Sequence, residues 1–260
     1  MAISGTREWS SKSVNCVTGC SHNCRYCYAK YDAITRFKKA TADSWPHEII
    51  RDDMIKKGWG KSKGTIMFPT QHDITPPVLD ACITVLRKML IVGNKVLVVT
   101  KPHIKCVTRM VTDLREYKDQ ILFRFTIGAS DDNILSYWEP GAPDFAERLE
   151  SLKTAYAHGY MTSISMEPNL DPPNTAQNFN IFKSYVSDSI WIGCLNKGGM
   201  RVEIQTEEDR KQLDRILEWQ DAVHMGRIYN QLKDEPLVRW KESYKTMLGL
   251  QLPTQAGLDI

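Results

Sequence analysis

The sequence predicts an α/β protein built on a parallel sheet, and three observations carry that reading. Short apolar runs rich in β-branched residues alternate with amphipathic helical patterns, the order in which successive βα units read. At 260 residues the chain has the length of one large domain of this class. Its composition, 42% hydrophobic and 25% charged, is that of an ordinary globular protein.

Six strands are expected in chain order, at Lys12–Val17, Thr65–Thr70, Lys95–Lys101, Ile121–Ile127, Met161–Glu167 and Ser189–Cys194. After the second, Val78, Leu79, Cys82, Ile83, Val85, Leu86, Met89 and Leu90 recur at helical spacing and make one strong face. After the fourth, Phe145, Leu149, Leu152 and Tyr156 mark another at i, i+4, i+7 and i+11. Beyond the last strand, Thr206-x-x-Asp209 reads as a capping box opening a helix that carries Leu213, Ile216 and Leu217. The expected division is 1–200 as the βα core and 201–260 as a helical extension packed on it, with no repeat or linker between.

Composition narrows the function classes. No run approaches the ~18 consecutive apolar residues of a membrane span, so no membrane partner is expected. A net charge of +3 permits nucleic acid as partner without requiring it. The seven cysteines are an odd number with no signal peptide before them, which argues against a disulfide framework and for a reducing cytoplasm.

Cys16, Cys20, Cys24 and Cys27 crowd into one short stretch, and two metal readings follow. Cys20, Cys24 and Cys27 can hold three irons of a cubane 4Fe–4S cluster, leaving the fourth iron open to a substrate or cofactor; Cys-ligated clusters reach strongly reducing potentials. All four thiolates can instead make a tetrahedral zinc site, although zinc ribbons usually split their ligands into two separated pairs.

The run TGCSHNCRYCYA, with its C-x3-C-x2-C spacing, resembles the cluster loop of the radical SAM superfamily, and within it the spore photoproduct lyase group. The stretch FTIGASDDNILSYWEPGAPDFAERLESLKTAYAHGY is similar to the same group's strand, turn, Asp-Asp, Glu-Pro-x-Ala-Pro and amphipathic helix. The opening EWSSKSVNCVTGC also resembles a phage-associated family of radical SAM-like proteins. The likeness runs from about Arg7 to Cys194. It implies a radical SAM partial (β/α)6 TIM-like barrel with a C-terminal helical extension. It also implies the cluster on Cys20, Cys24 and Cys27, and S-adenosyl-L-methionine (SAM) as the second cofactor.

In βα barrels function collects at the C-terminal strand ends. There the resemblance implies SAM contacts at Phe68-Pro69-Thr70, which ends the second strand where the superfamily meets the SAM amino group through backbone carbonyls, although its Gly-Gly-Glu is missing from this sequence. Lys101 would set a point charge against the SAM carboxylate, with Thr126 beside it. Tyr26 would pack near the adenine, and Tyr28 and Ser130 complete the expected cofactor-binding set. Asp131 and Asp132 either bind ribose or cap a helix.

Two residues carry a catalytic reading. Cys194, in WIGCLNKGG, is placed to return a hydrogen atom to a substrate radical, or is a buried core thiol. Glu167, in SISMEPNL, departs from the group's apolar ending of this strand and fits a polar or amine-bearing substrate, or is a plain polar rim residue. Cys16, Cys82 and Cys106 are expected to be structural, and His22 and His72 to be local hydrogen-bonding groups. The stretch from Lys30 to Lys63 carries nine Lys or Arg against five Asp or Glu, with Phe37, Trp45 and Trp59 interspersed. It reads either as a phosphate-contacting surface or as a solvated face.

The expectation is therefore a radical SAM enzyme of lyase or isomerase type. A reduced cluster, fed by a donor such as flavodoxin or ferredoxin, cleaves SAM to a 5′-deoxyadenosyl radical. The radical abstracts hydrogen from a damaged or hypermodified pyrimidine base in DNA. The phage-like opening, and the expected lack of the repair enzymes' extra N-terminal segment, favour DNA base modification in a host cytoplasm. The alternatives are a radical SAM enzyme of a peptide or small metabolite, and a non-catalytic zinc or nucleic-acid-binding module.

Overall fold

The computed structural model, which describes residues 3–257, has seven strands in one parallel sheet. They are β1 (Lys12–Ser13), β2 (Ile66–Phe68), β3 (Val96–Thr100), β4 (Ile121–Thr126), β5 (Met161–Met166), β6 (Ser189–Ile192) and β7 (Val238–Trp240). The main helices are α1 (Leu79–Ile91), α2 (Ile104–Asp113), α3 (Asp132–Trp138), α4 (Phe145–Ala157), α5 (Thr175–Phe182), α6 (Glu207–Leu217), α7 (Ala222–Leu232) and α8 (Glu242–Leu248).

Strands neighbour one another in chain order and every pairing is parallel. Doubly wound sheets reverse their order partway; this one never does, so right-handed crossovers put the connecting helices on one face. Packing agrees. Ile66, Phe68, Val96, Val98, Phe123, Ile164 and Ile190 share one core with residues of α1, α2, α4, α5 and α7. The alternate residues Met67, Leu97 and Trp191 point the other way and cluster with Trp9. That inner face also carries the buried polar residues Arg124, Thr126, Ser163 and Ser165.

The expected α/β class stands, and five of the six strands match to within a few residues. The first does not. Only Lys12–Ser13 joins the sheet, while Val17–Thr18 pairs antiparallel with Ile49–Ile50. Between them the Cys16 N–H turns to His72 Nε2 at 3.2 Å instead of to a strand, and Asn15 caps the backbone of Thr70. The seventh strand, β7, lies in the expected helical extension and pairs with β6. The α4 face is rotated as well. Arg148, Ser151, Leu152 and Ala155 are its buried residues, and Tyr156 is exposed. The capping box of α6 forms as expected and Leu213 and Ile216 are buried, whereas Leu217 is exposed. No described helix is long and apolar enough to cross a membrane.

Candidate functional site

The cysteine loop follows β1 and is folded by close backbone packing. Gly19 has φ +86°, and a Cβ there would lie 2.3 Å from the His47 carbonyl oxygen, so the loop passes where only glycine fits. Cys20 N–H donates to Trp45 O at 2.9 Å, and Asn23 turns the chain with φ 46°. Cys27 caps the short helix Tyr28–Tyr31, its Sγ accepting from Lys30 N–H at 3.4 Å. Cys20, Cys24 and Cys27 all line one cavity of about 710 Å³. Burial pushes all three thiols up, Cys24 to about 12. Thiols in such a place ionise only against a strongly cationic partner, and soft thiolate donors suit iron–sulfur clusters. The donor set therefore fits the expected cluster. Cys16 is not part of it: its Sγ lies 3.8 Å from Cys82 Sγ, away from the cavity, so the four thiols of the zinc reading are not brought together.

A buried polar network stands behind the loop. His22 does act as a hydrogen-bonding group, with Nδ1 2.9 Å from Asp73 Oδ2 and Nε2 2.9 Å from His103 Nε2. Cys20, His22 and Asp73 have donor atoms within 4.8 Å of one another, close enough for a metal ion. Asp73 is already engaged, however. Its Oδ1 accepts from Thr100 Oγ1 at 2.9 Å and Lys101 N–H at 2.7 Å, and its Oδ2 faces Lys101 Nζ at 3.5 Å. Burial pushes the Asp73 carboxyl up, but Lys101 and His22 outweigh it and hold it well below the usual carboxylate range.

The second motif forms the adjoining wall. Arg25 N–H donates to Trp138 O at 2.9 Å, and Gly141 N–H to His22 O at 3.1 Å. Tyr26 donates its phenol to Glu139, which forms a fully buried ion pair with Arg148. Arg148 Nε also donates to Pro143 O at 2.7 Å. Asp131 caps α3, and Asp132 accepts from Phe145 N–H at 2.7 Å, so the Asp pair organises helix ends. Glu139 and Arg148 escaped the sequence reading, because no local pattern pairs a turn carboxylate with a guanidinium nine residues further along the chain.

Most of the expected site residues share the cavity: Tyr26, Tyr28, Thr70, Lys101, Thr126, Glu167 and Cys194 line it with the three cysteines. Phe68 is fully buried in the main core and Ser130 is half-buried, and neither lines the cavity. Tyr28 donates to Thr70 O. Lys101 Nζ sits 5.8 Å from the Tyr26 ring centroid. On the opposite wall Glu167 Oε2 lies 3.4 Å from Lys241 Nζ and its Oε1 accepts from Asn196 Nδ2 at 3.3 Å. Lys241 also pairs with Glu8 at 3.0 Å and donates to Gly5 O at 3.0 Å. Cys194 Sγ is 3.9 Å from Met225 Sδ, and burial pushes this thiol up to about 11.

No protein-family model matches the sequence. The chain is 25% identical over 254 residues to "Uncharacterized protein ORF301" of Acidianus two-tailed virus, covering 90% of this chain and 82% of that one. Among solved structures it is similar to a point mutant of spore photoproduct lyase, with a TM-score of 0.54, 14% identity, and 88% and 75% of the two chains covered. Against the lyase complexed with dinucleoside spore photoproduct the TM-score is 0.50 at 15% identity, covering 79% of this chain. The match spans 61% of that lyase chain. The chain thus has the fold expected from its cysteine motif, the one found in radical SAM enzymes such as this lyase.

Proposed function

We propose that this chain is a radical SAM enzyme of the lyase or isomerase type, acting on a damaged or hypermodified pyrimidine base in DNA. The observation that carries the reading is the opening of Cys20, Cys24 and Cys27 onto one cavity that Lys101, Thr126, Glu167 and Cys194 also line. These three cysteines would hold a 4Fe–4S cluster. When bound, the cluster supplies the electron that cleaves SAM to methionine and a 5′-deoxyadenosyl radical.

The chain's own residues bind and orient. Lys101 sets an ammonium against the SAM carboxylate, Thr126 donates to it, and Tyr26, fixed by Glu139, packs beside the adenine. Glu167 accepts from a polar or amine-bearing group of the substrate. Cys194 returns a hydrogen atom from sulfur, a role that needs the protonated thiol which its surroundings favour. Arg7, Arg36 and Arg201 line the same cavity, and the exposed Phe37 ring has the Arg36 and Lys39 cations 5.3 and 5.9 Å away. Guanidinium and aromatic groups beside a deep site suit phosphates and an unstacked base, which an enzyme of this kind takes single-stranded or flipped out. A flavodoxin- or ferredoxin-class protein would supply the electron.

The test is anaerobic. Cluster-loaded protein, reduced and given SAM, should yield 5′-deoxyadenosine by chromatography and mass spectrometry, and addition of oligonucleotide carrying a modified pyrimidine should consume that base. No SAM cleavage in iron-replete protein would overturn the reading; cleavage with every DNA substrate left intact would overturn its DNA part.

A further inference from the structure

We propose that Cys16 and Cys82 form a modification site, a buried thiol pair that an oxidant of the peroxide class closes to a disulfide. Cys16 lies just after β1 and Cys82 on α1, with their sulfurs 3.8 Å apart and both residues fully buried. A disulfide bond is about 2.0 Å long, so closure asks the two sulfurs to approach by roughly 1.8 Å in all. The Cys16 backbone is held on both sides: its N–H donates to His72 Nε2 at 3.2 Å and its carbonyl accepts from Arg51 N–H at 2.8 Å. His72 Nδ1 faces Asp73 O at 2.9 Å, which fixes the ring with Nε2 as acceptor.

The chemistry of the pair is asymmetric. The contact between the two sulfurs draws the Cys16 thiol down, while the same contact and burial push Cys82 up. Cys16 is thus the thiolate and attacking sulfur, and Cys82 the resolving thiol. Cys16 attacks a peroxide oxygen and breaks the O–O bond, giving a sulfenic acid and, with a proton, water. Cys82 then attacks the Cys16 sulfur; the S–O bond breaks, and hydroxide leaves with the Cys82 proton as a second water. Two thiols are oxidised and one peroxide is reduced to two waters. The link would tie the strand that leads into the cysteine loop to α1. It is independent of the cluster reading.

The full cluster-loaded chain is treated with stoichiometric hydrogen peroxide, alkylated with iodoacetamide, digested without reductant and read by mass spectrometry. The expected result is a Cys16 peptide joined to a Cys82 peptide, two hydrogens lighter than the separate thiols and separated by dithiothreitol. In Cys82→Ser treated in the presence of dimedone, Cys16 should carry a dimedone adduct that the wild type lacks. Cys16 and Cys82 both recovered as alkylated thiols while other cysteines are oxidised, or Cys16 joined to a different cysteine, overturns the proposal. The wild-type linkage decides the question if the Cys82→Ser chain does not fold.

Discussion

Lys241, the residue after β7, places its Nζ 3.0 Å from Oε1 of Glu8, a residue four positions before β1, so one buried contact ties the N-terminal segment to the chain leaving the last strand of the sheet. Trp9, next to Glu8, packs on the inner face of the sheet with Met67, Leu97 and Trp191, so the segment before β1 reaches across that face. The ring of Trp9 covers the ammonium, with its centroid 4.0 Å away. On its other side the same ammonium meets Glu167, so the anchoring of the N-terminal segment and the pose of a cavity carboxylate depend on one side chain.

Above about pH 7, where Glu8 is ionised, Lys241→Met should leave its carboxylate buried without its cation. Breaking one partner of a buried pair costs about 3–5 kcal/mol. At ~2–4 °C per kcal/mol for a chain of this size, the melting temperature should fall by on the order of 10 °C in calorimetry. Adding Glu8→Gln should recover part of the loss. An unchanged melting temperature in the single variant would mean the ion pair contributes little to stability.

The same carboxyl sets a pH dependence. Burial pushes Glu8 up from its ordinary 4.5 to about 7, despite Lys241. Between those values the folded chain keeps a proton that the unfolded chain has released, so Glu8's contribution to stability is full below 4.5 and is lost as pH rises through about 7. Urea midpoints from pH 4.5 to 8 should show this fall in the wild type and a flatter profile in Glu8→Gln.

Arg148→Met should act through Tyr26. The variant strands Glu139 in a fully buried position, at a cost again of about 3–5 kcal/mol, and frees the phenol that Glu139 holds. SAM affinity measured by calorimetric titration should fall along with stability. Normal SAM binding in a folded variant would separate the network from the cofactor.

Cys24→Ala and Cys16→Ala should behave oppositely. The first removes a cavity thiol and should lose iron, sulfide and visible absorbance after anaerobic reconstitution, with SAM cleavage at background. The second removes a thiol directed at Cys82 and should keep its cluster. Loss of metal in both would revive a four-thiolate site.

Gly19→Ala meets both a positive φ and a backbone carbonyl 2.3 Å from the new Cβ. Neither the His47 carbonyl nor the loop can yield cheaply. The variant should retain little iron and melt several degrees lower, since strained backbone of this kind costs ~1–3 kcal/mol. Full iron retention would show that the loop has room to move.

The strands of this fold were legible wherever they are apolar and four or more residues long, as in Val96–Thr100 and Ile121–Thr126. Val238–Trp240 was not, because three residues with an arginine at the centre carry no periodic signal. The cysteine loop was legible through the resemblance of its run TGCSHNCRYCYA to a known motif. Its supports were not: Glu139 lies in a turn and Arg148 on α4, and only the fold brings them together as a buried pair. Glu8, Trp9 and Lys241 meet through tertiary structure across nearly the whole chain, a relationship no local pattern encodes. Phe68, a motif position at a strand end, turns its side chain to the helices, an orientation that its sequence neighbours do not disclose.

The ion pair between Glu8 and Lys241 also bears on how the molecule comes into being. A chain leaving the ribosome presents Cys20, Cys24 and Cys27 long before Lys241 has been translated, so the segment that carries Glu8 lacks this partner throughout most of synthesis. A cluster of the kind proposed would have that interval in which to be assembled on the loop, before the contact between Lys241 and Glu8 forms.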